Sequence, residues 1–146
     1  GVEAAVEGYP HPVTVAVDHE PDRGPVGGLA RGLAAVDSEY AMVAACDVPF
    51  LDPDLAVHLL GVARGSDAAV PRPDEWYEPL HAAYRAEPAA AACEAALSDG
   101  DARAIAPLDR LDWVAVGPDE LAAFDDRSFE SVDTRAAFAA AEAELS

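Results

Sequence analysis

Residues 40–51, Tyr-Ala-Met-Val-Ala-Ala-Cys-Asp-Val-Pro-Phe-Leu, hold an apolar run that stops at Asp47, six of the seven residues from 41 to 47 being apolar or Cys. A short apolar run bounded by turn residues predicts a strand buried on both faces of a parallel sheet. Such a strand has no room for a carboxylate, so Asp47 is expected where the chain leaves the sheet, at the carboxyl end where open α/β sheets place their ligands. Pro49 stops the ladder, and Asp52-Pro53 supplies an N-cap followed by proline at the first helical position. The helix from Pro53 is expected to bury some of Leu55, Leu59, Leu60 and Val62.

The same patterning assigns the rest of the chain. Val2, Ala5 and Val6 have helical spacing, closed by Gly8 and Pro10. The β-branched run at 13–17, Val-Thr-Val-Ala-Val, predicts a strand ended by Asp18, followed by a loop over 18–28 and a helix over 29–36. A short strand at 67–70 precedes residues 71–79, whose three prolines in nine residues exclude a regular element. The strand expected at 80–84 is antiparallel to 67–70, because no crossover helix separates them. Pro88 opens an alanine-rich helix to Leu97, and a helical piece over 102–111 is broken by Pro107. Strands at 113–116 and 128–132 flank a short helix at 118–124. The last helix runs from Thr134, with Asp133 as N-cap and Phe138, Ala141 and Leu145 on one face. Strands alternating with helices predict a single α/β domain over 1–146, a three-layer sandwich with helices on both faces of a mostly parallel sheet.

Charge narrows the partners. The chain carries 28 Asp and Glu against 9 basic residues, all Arg, for a net charge of −19. A surface of that sign repels nucleic-acid backbones and repels itself at low ionic strength. At about 1 M salt the Debye length falls to about 3 Å, which points to a halophilic, cytoplasmic protein, with an acidic, interaction-averse protein at ordinary salt as the alternative. Cys46, placed in the buried strand, and Cys93, in the alanine-rich helix, are expected to be small buried thiols in a reducing compartment. No run approaches the ~18 apolar residues of a membrane-spanning helix.

Candidate chemistry sits at the ends of the expected strands: Asp18, Asp47 and Asp133. Two carboxylates meeting at one rim form a hard oxygen site suited to Mg²⁺, completed by waters and ligand phosphates; capping a helix or turn is the alternative role for each. Gly24-Pro25-Val26-Gly27-Gly28 offers backbone N–H groups at a helix start, although it is neither a Walker loop nor a dinucleotide fingerprint, and a turn serving only helix entry is the alternative. His81 is expected to be a satisfied structural histidine, with a role near an acceptor as the alternative, His58 a surface partner of Asp54, and Trp76, Tyr77 and Glu78 either a cover for an acceptor or an anchor for their loop.

Gly-Pro-Val-Gly-Gly at 24–28, Ala-Cys-Asp-Val-Pro-Phe-Leu at 45–51, Glu-Pro-Leu-His-Ala-Ala-Tyr-Arg at 78–85 and Ser-Val-Asp-Thr at 131–134, in that order, resemble the molybdenum cofactor guanylyltransferase family. The resemblance implies a Rossmann-like nucleotidyltransferase fold and Mg²⁺-dependent transfer of GMP from GTP to molybdopterin. It also implies Asp47 as catalytic metal ligand, and Asp18, Gly24, Pro25, Gly27 and Gly28 against the guanosine. Where the family has Asn-x-Asn-Thr-Pro, this chain has Ser131 to Arg135, and Asp133 keeps an oxygen ligand there. The family opens with a strand and a glycine-rich loop bearing Arg and Lys. Their absence implies a fragment lacking the first βαβ portion and inactive alone. Alternatives are a related transferase acting on cobinamide phosphate or a sugar phosphate, or a non-catalytic nucleotide-binding module.

The charge generates the first prediction: circular dichroism across a KCl series should show structure lost at ~0.1 M and recovered above ~1 M. A spectrum unchanged across the series would refute the halophilic expectation.

Overall fold

The computed structural model describes residues 2–18, 20 and 23–146. His19, Pro21 and Asp22 of the expected 18–28 loop lie outside the described residues, as do the side chains of Val2 and Ala5. In order, the elements are α1 (Val2–Ala5), α2 (Gly24–Ala34), β1 (Tyr40–Ala44), α3 (Pro53–Ala63), β2 (Ala68–Pro71), β3 (His81–Arg85), α4 (Ala86–Ser98), a 3₁₀ turn (Ala106–Arg110), β4 (Trp113–Val116), α5 (Pro118–Leu121), a second 3₁₀ turn (Asp126–Phe129) and α6 (Arg135–Leu145).

The four strands form one sheet in the order β1-β3-β2-β4. β3 pairs antiparallel with both β1 and β2, whereas β2 and β4 are parallel, so the sheet is mixed where a mostly parallel one was expected. Side chains alternate across each strand, which splits the interior in two. Ala68, Val70, Ala82 and Tyr84 join Val26, Leu29, Ala30 and Leu33 of α2 and Ala89 and Cys93 of α4 in one core. Ala69 and Ala83 face the other way, onto Leu55, Leu59 and Ala63 of α3, Val116 and Leu121. Helices therefore cover both faces, as the three-layer expectation required. The buried positions of α2 fall at i, i+3, i+4 and i+7 from Val26, the helical stripe that packs on a sheet.

Several expectations are corrected. β1 is an edge strand of the described sheet, half-buried from Tyr40 to Val43 and exposed at Ala44, and Cys46 beyond it is exposed. An apolar run reports low polarity, and it does not say how many neighbours a strand has. Residues 13–17 are in no sheet, with Val13 46% and Val17 47% exposed, so β-branched composition there does not by itself make a strand. The helix expected over 29–36 starts at Gly24, with Pro25 in its first turn. Residues 128–132 are not a strand: the chain makes the 3₁₀ turn Asp126–Phe129 and then runs irregularly. The helical piece at 102–111 shrinks to the 3₁₀ turn Ala106–Arg110 around Pro107.

Caps and buried polar groups tie the layers together. Asp52 caps α3 by accepting from the Asp54 N–H at 2.9 Å. Thr134, not Asp133, caps α6 by accepting from the Ala137 N–H at 3.0 Å. On α6 only part of the expected face is covered: Ala141 is buried while Phe138 and Leu145 are exposed. The buried Tyr84 hydroxyl donates to the Pro79 carbonyl at 2.6 Å, and burial raises its pKa.

Leu59→Ala should lower stability by roughly 2–5 kcal/mol through the cavity left between α3 and the sheet. Tyr84→Phe, which strands a buried carbonyl, should cost about 1–3 kcal/mol. Both should lower the urea midpoint with an unchanged slope; an unchanged midpoint for Leu59→Ala would contradict the packing described.

Candidate functional site

Beyond β1 the chain turns through Ala45, Cys46 and Asp47 to the cap of α3, and several bonds hold this turn to the 125–132 segment. The Val132 N–H donates to the Asp47 carbonyl at 2.8 Å. The Asp52 N–H donates to the Ser128 hydroxyl at 3.1 Å, and Asp52 accepts from the Asp125 N–H at 3.1 Å. The Asp125 and Asp54 N–H groups hold the Asp52 carboxyl below its usual range. Arg127 stacks its guanidinium 3.7 Å over the Phe50 ring while pairing with Glu130 and Glu144 of α6.

These bonds bring Asp47 and Asp133, 86 residues apart in sequence, onto neighbouring segments. Asp47 is half-buried, and Asp133 is exposed and accepts from the Ser131 hydroxyl at 3.2 Å. No cluster of three or more His, Cys, Asp or Glu suited to a metal occurs among the described residues. A two-carboxylate donor set nevertheless suits Mg²⁺, which takes one or two protein carboxylates and completes its octahedron with water and phosphate oxygens.

Asp18 meets the start of α2 as well. A Cβ placed on Gly27 would lie 2.8 Å from Asp18 Oδ2 and 2.5 Å from Arg23 Cβ, so only glycine lets these side chains close on the helix. Asp18 also accepts from the Glu20 N–H at 3.1 Å, and Arg23 bonds Glu94 at 2.8 Å. The glycine stretch is thus the first turns of a helix and not an open loop. Gly24 adopts φ 65°, which favours glycine, and Gly27 is buried, while Gly24, Pro25 and Gly28 are exposed. Pro25 and Gly28 face β1 across an open groove of about 590 Å³ that also takes in Val43, Cys46 and Leu80. The groove's wall next to Asp47 is therefore shared with the glycine stretch.

Two histidine expectations change, and one cysteine expectation holds. His58 bonds Glu120 at 2.5 Å in place of Asp54. Cys93 is buried as expected, and desolvation pushes its thiol up to about 12. His81 is buried on β3 against the Phe129 ring, 4.9 Å between centroids, but its Nε2 has no hydrogen-bond partner. Asp52, Arg127 and Ser128 hold the rim together, yet only the capping role of Asp52 was legible in the pattern. The one cation within the acidic run 125–130 was the available signal for Arg127.

Comparison with known proteins gives a consistent answer. The family described as the MobA-like NTP transferase domain matches residues 2–112. A probable molybdenum cofactor guanylyltransferase of Natronomonas pharaonis is 52% identical over 132 residues, covering 90% of this chain and 64% of its own. A protein of the same description from Methanosarcina mazei is 37% identical over 117 residues, 77% of this chain and 52% of its own. Among solved structures, molybdopterin-guanine dinucleotide biosynthesis protein A from Archaeoglobus fulgidus superposes with a TM-score of 0.69 at 33% identity, over 84% of this chain and 63% of that one. The chain thus spans less than two thirds of the length of these relatives.

Burial lowers the His81 pKa below its ordinary value near 6.5. The unfolded chain then binds more protons as pH falls below that value, so the contribution of neutral His81 is full above about 6.5 and is lost through the lowered folded value. Urea unfolding of wild type and His81→Phe at pH 7 and pH 5 should show a smaller acid loss in the variant. Equal losses would mean His81 stays neutral or stays solvated in both states.

Proposed function

Because the chain belongs to the MobA-like NTP transferase domain family, we propose that it is the nucleotidyl-transfer domain of a molybdenum cofactor guanylyltransferase, moving GMP from GTP to molybdopterin in the cytoplasm. The observation that carries this reading is the hydrogen bond from the Val132 N–H to the Asp47 carbonyl at 2.8 Å, which sets the Asp47 turn beside the segment bearing Asp133. The relatives' descriptions supply the reaction class.

In this proposal Asp47 holds Mg²⁺ and Asp133 assists it. The bound ion would neutralise charge on the nucleotide phosphates, which a chain of net charge −19 would otherwise repel. The start of α2, with Gly24, Pro25 and Gly28 exposed and Asp18 closed on Gly27, borders the guanosine. A terminal phosphate oxygen of the acceptor attacks the α-phosphorus in line, the bond from that phosphorus to the β-phosphate oxygen breaks, and pyrophosphate leaves. Positioning and electrostatics dominate such transfers. The bonds from Ser128, Asp125 and Val132 keep the carboxylate-bearing turn from shifting as charge develops.

Asp47→Asn in the complete enzyme keeps size and one oxygen but removes the charge, so GMP transfer should fall by orders of magnitude with thermal stability retained. A fully active variant with unchanged Mg²⁺ dependence would remove Asp47 from the metal site, because asparagine serves equally well in a turn.

A further inference from the structure

One guanidinium reaches both arms of the carboxylate pair. Arg127 lies half-buried in the 3₁₀ turn Asp126–Phe129, with its Cζ 3.7 Å above the ring of Phe50, a half-buried side chain three residues past Asp47. It also donates to Glu144, near the end of α6, from Nη1 and, at 3.2 Å, from Nη2, while its Nε donates to Glu130 at 3.2 Å. Thr134 caps α6, so Asp133 stands immediately before that helix. Arg127 therefore touches the Asp47 turn through Phe50 and the Asp133 segment through α6.

Little else fixes how α6 lies. Of its residues only Ala141 is buried, and the Arg127–Glu144 contact is its one ion pair among the described residues. Burying a single methyl group sets no direction, whereas two parallel N–H groups on one carboxylate fix orientation as well as distance. The Val132 N–H bond to the Asp47 carbonyl and the bonds of Asp52 with Ser128 and Asp125 join the two rim segments, but none of them extends to α6. Charge adds to the effect. Residues 125–134 carry Asp125, Asp126, Glu130 and Asp133 against Arg127 alone. Without the guanidinium, the Glu130 and Glu144 carboxylates that both reach it would repel each other, and the Phe50 face would lose the cation it attracts.

We propose that Arg127 is a positioning residue for the Asp47–Asp133 pair: by gripping Phe50 and Glu144 together, it fixes the two carboxylates relative to each other and so sets their affinity for a divalent cation. The cation rests on the transferase reading, but the grip on the two segments does not.

Two measurements on the 146-residue chain test these parts separately. Amide hydrogen exchange reads the grip, and titration with Mn²⁺, which like Mg²⁺ takes octahedral oxygen ligands, reads the cation by electron paramagnetic resonance. Arg127→Ala should speed exchange of the Val132 amide, whose acceptor is the Asp47 carbonyl, several-fold while the Ala83 amide in the sheet centre keeps its wild-type rate. The same variant should weaken, by about tenfold, the Mn²⁺ component that Asp47→Asn removes, as loss of a residue that orients a metal ligand does. Arg127→Lys keeps a cation over Phe50 but not the fork onto Glu144, and should fall between wild type and Arg127→Ala. Glu144→Gln should reproduce part of the effect.

A purely structural role for Arg127 predicts faster exchange at Ala83 as well as Val132, or an unchanged Asp47-dependent Mn²⁺ affinity. Either result overturns the proposal, as does a wild-type Val132 rate in Arg127→Ala. If Asp47→Asn leaves Mn²⁺ binding at the wild-type level, the metal reading of the transferase fails, and faster Val132 exchange in Arg127→Ala still supports the grip.

Discussion

The fold depends on the close approach of helices to a sheet centre made almost entirely of alanine. Ala68 and Ala69 of β2 and Ala82 and Ala83 of β3 are all fully buried. With one methyl per residue on either side, α2 and α4 pack on one face and α3 on the other, and specificity passes to the larger residues they bring: Leu29 and Leu33 above, Leu55 and Leu59 below. Tyr84 is the exception in the centre, and its hydroxyl is spent on the Pro79 carbonyl at the end of the loop that carries Trp76. Tyr84 thus ties the central layer to that loop, beside the Glu78 N–H bond to the Pro71 carbonyl and the Tyr77 ring on Trp113.

Much of this was legible where a physical signal acts locally. Asp52 and Pro53 announce a helix start by hydrogen-bonding chemistry that needs no tertiary partner, and the structure bears it out. The antiparallel β2–β3 pairing followed from a connection too short and too rich in proline for a crossover helix. Failures cluster where the deciding partner is distant in sequence. The apolar 40–44 run reads the same whether a strand has one neighbour or two. The 13–17 segment has the composition of a strand but no ladder among the described residues. The fate of 128–132 was set by bonds to Asp47 and Asp52, about eighty residues earlier, which no local pattern reports.

The same division holds at the candidate site. Asp47 stood out because an ionisable side chain ends an apolar run. Asp18 and Gly27 were placed together by resemblance, and the structure supplies the contact that requires glycine there. The orphaned Nε2 of His81 and the half-buried carboxyl of Glu78 were invisible, because burial and lack of partners are properties of the packed molecule.

The two cysteines differ in a way that composition does not reveal. Cys93 is sealed in the core with its thiol proton held tightly, whereas Cys46 stands exposed on the groove wall one residue before Asp47. Of the two cysteines in these 146 residues, only Cys46 offers an addressable thiol at the rim. A maleimide or spin label can be directed there without any engineered substitution, and the rate of its attachment becomes a footprint of whatever fills the groove.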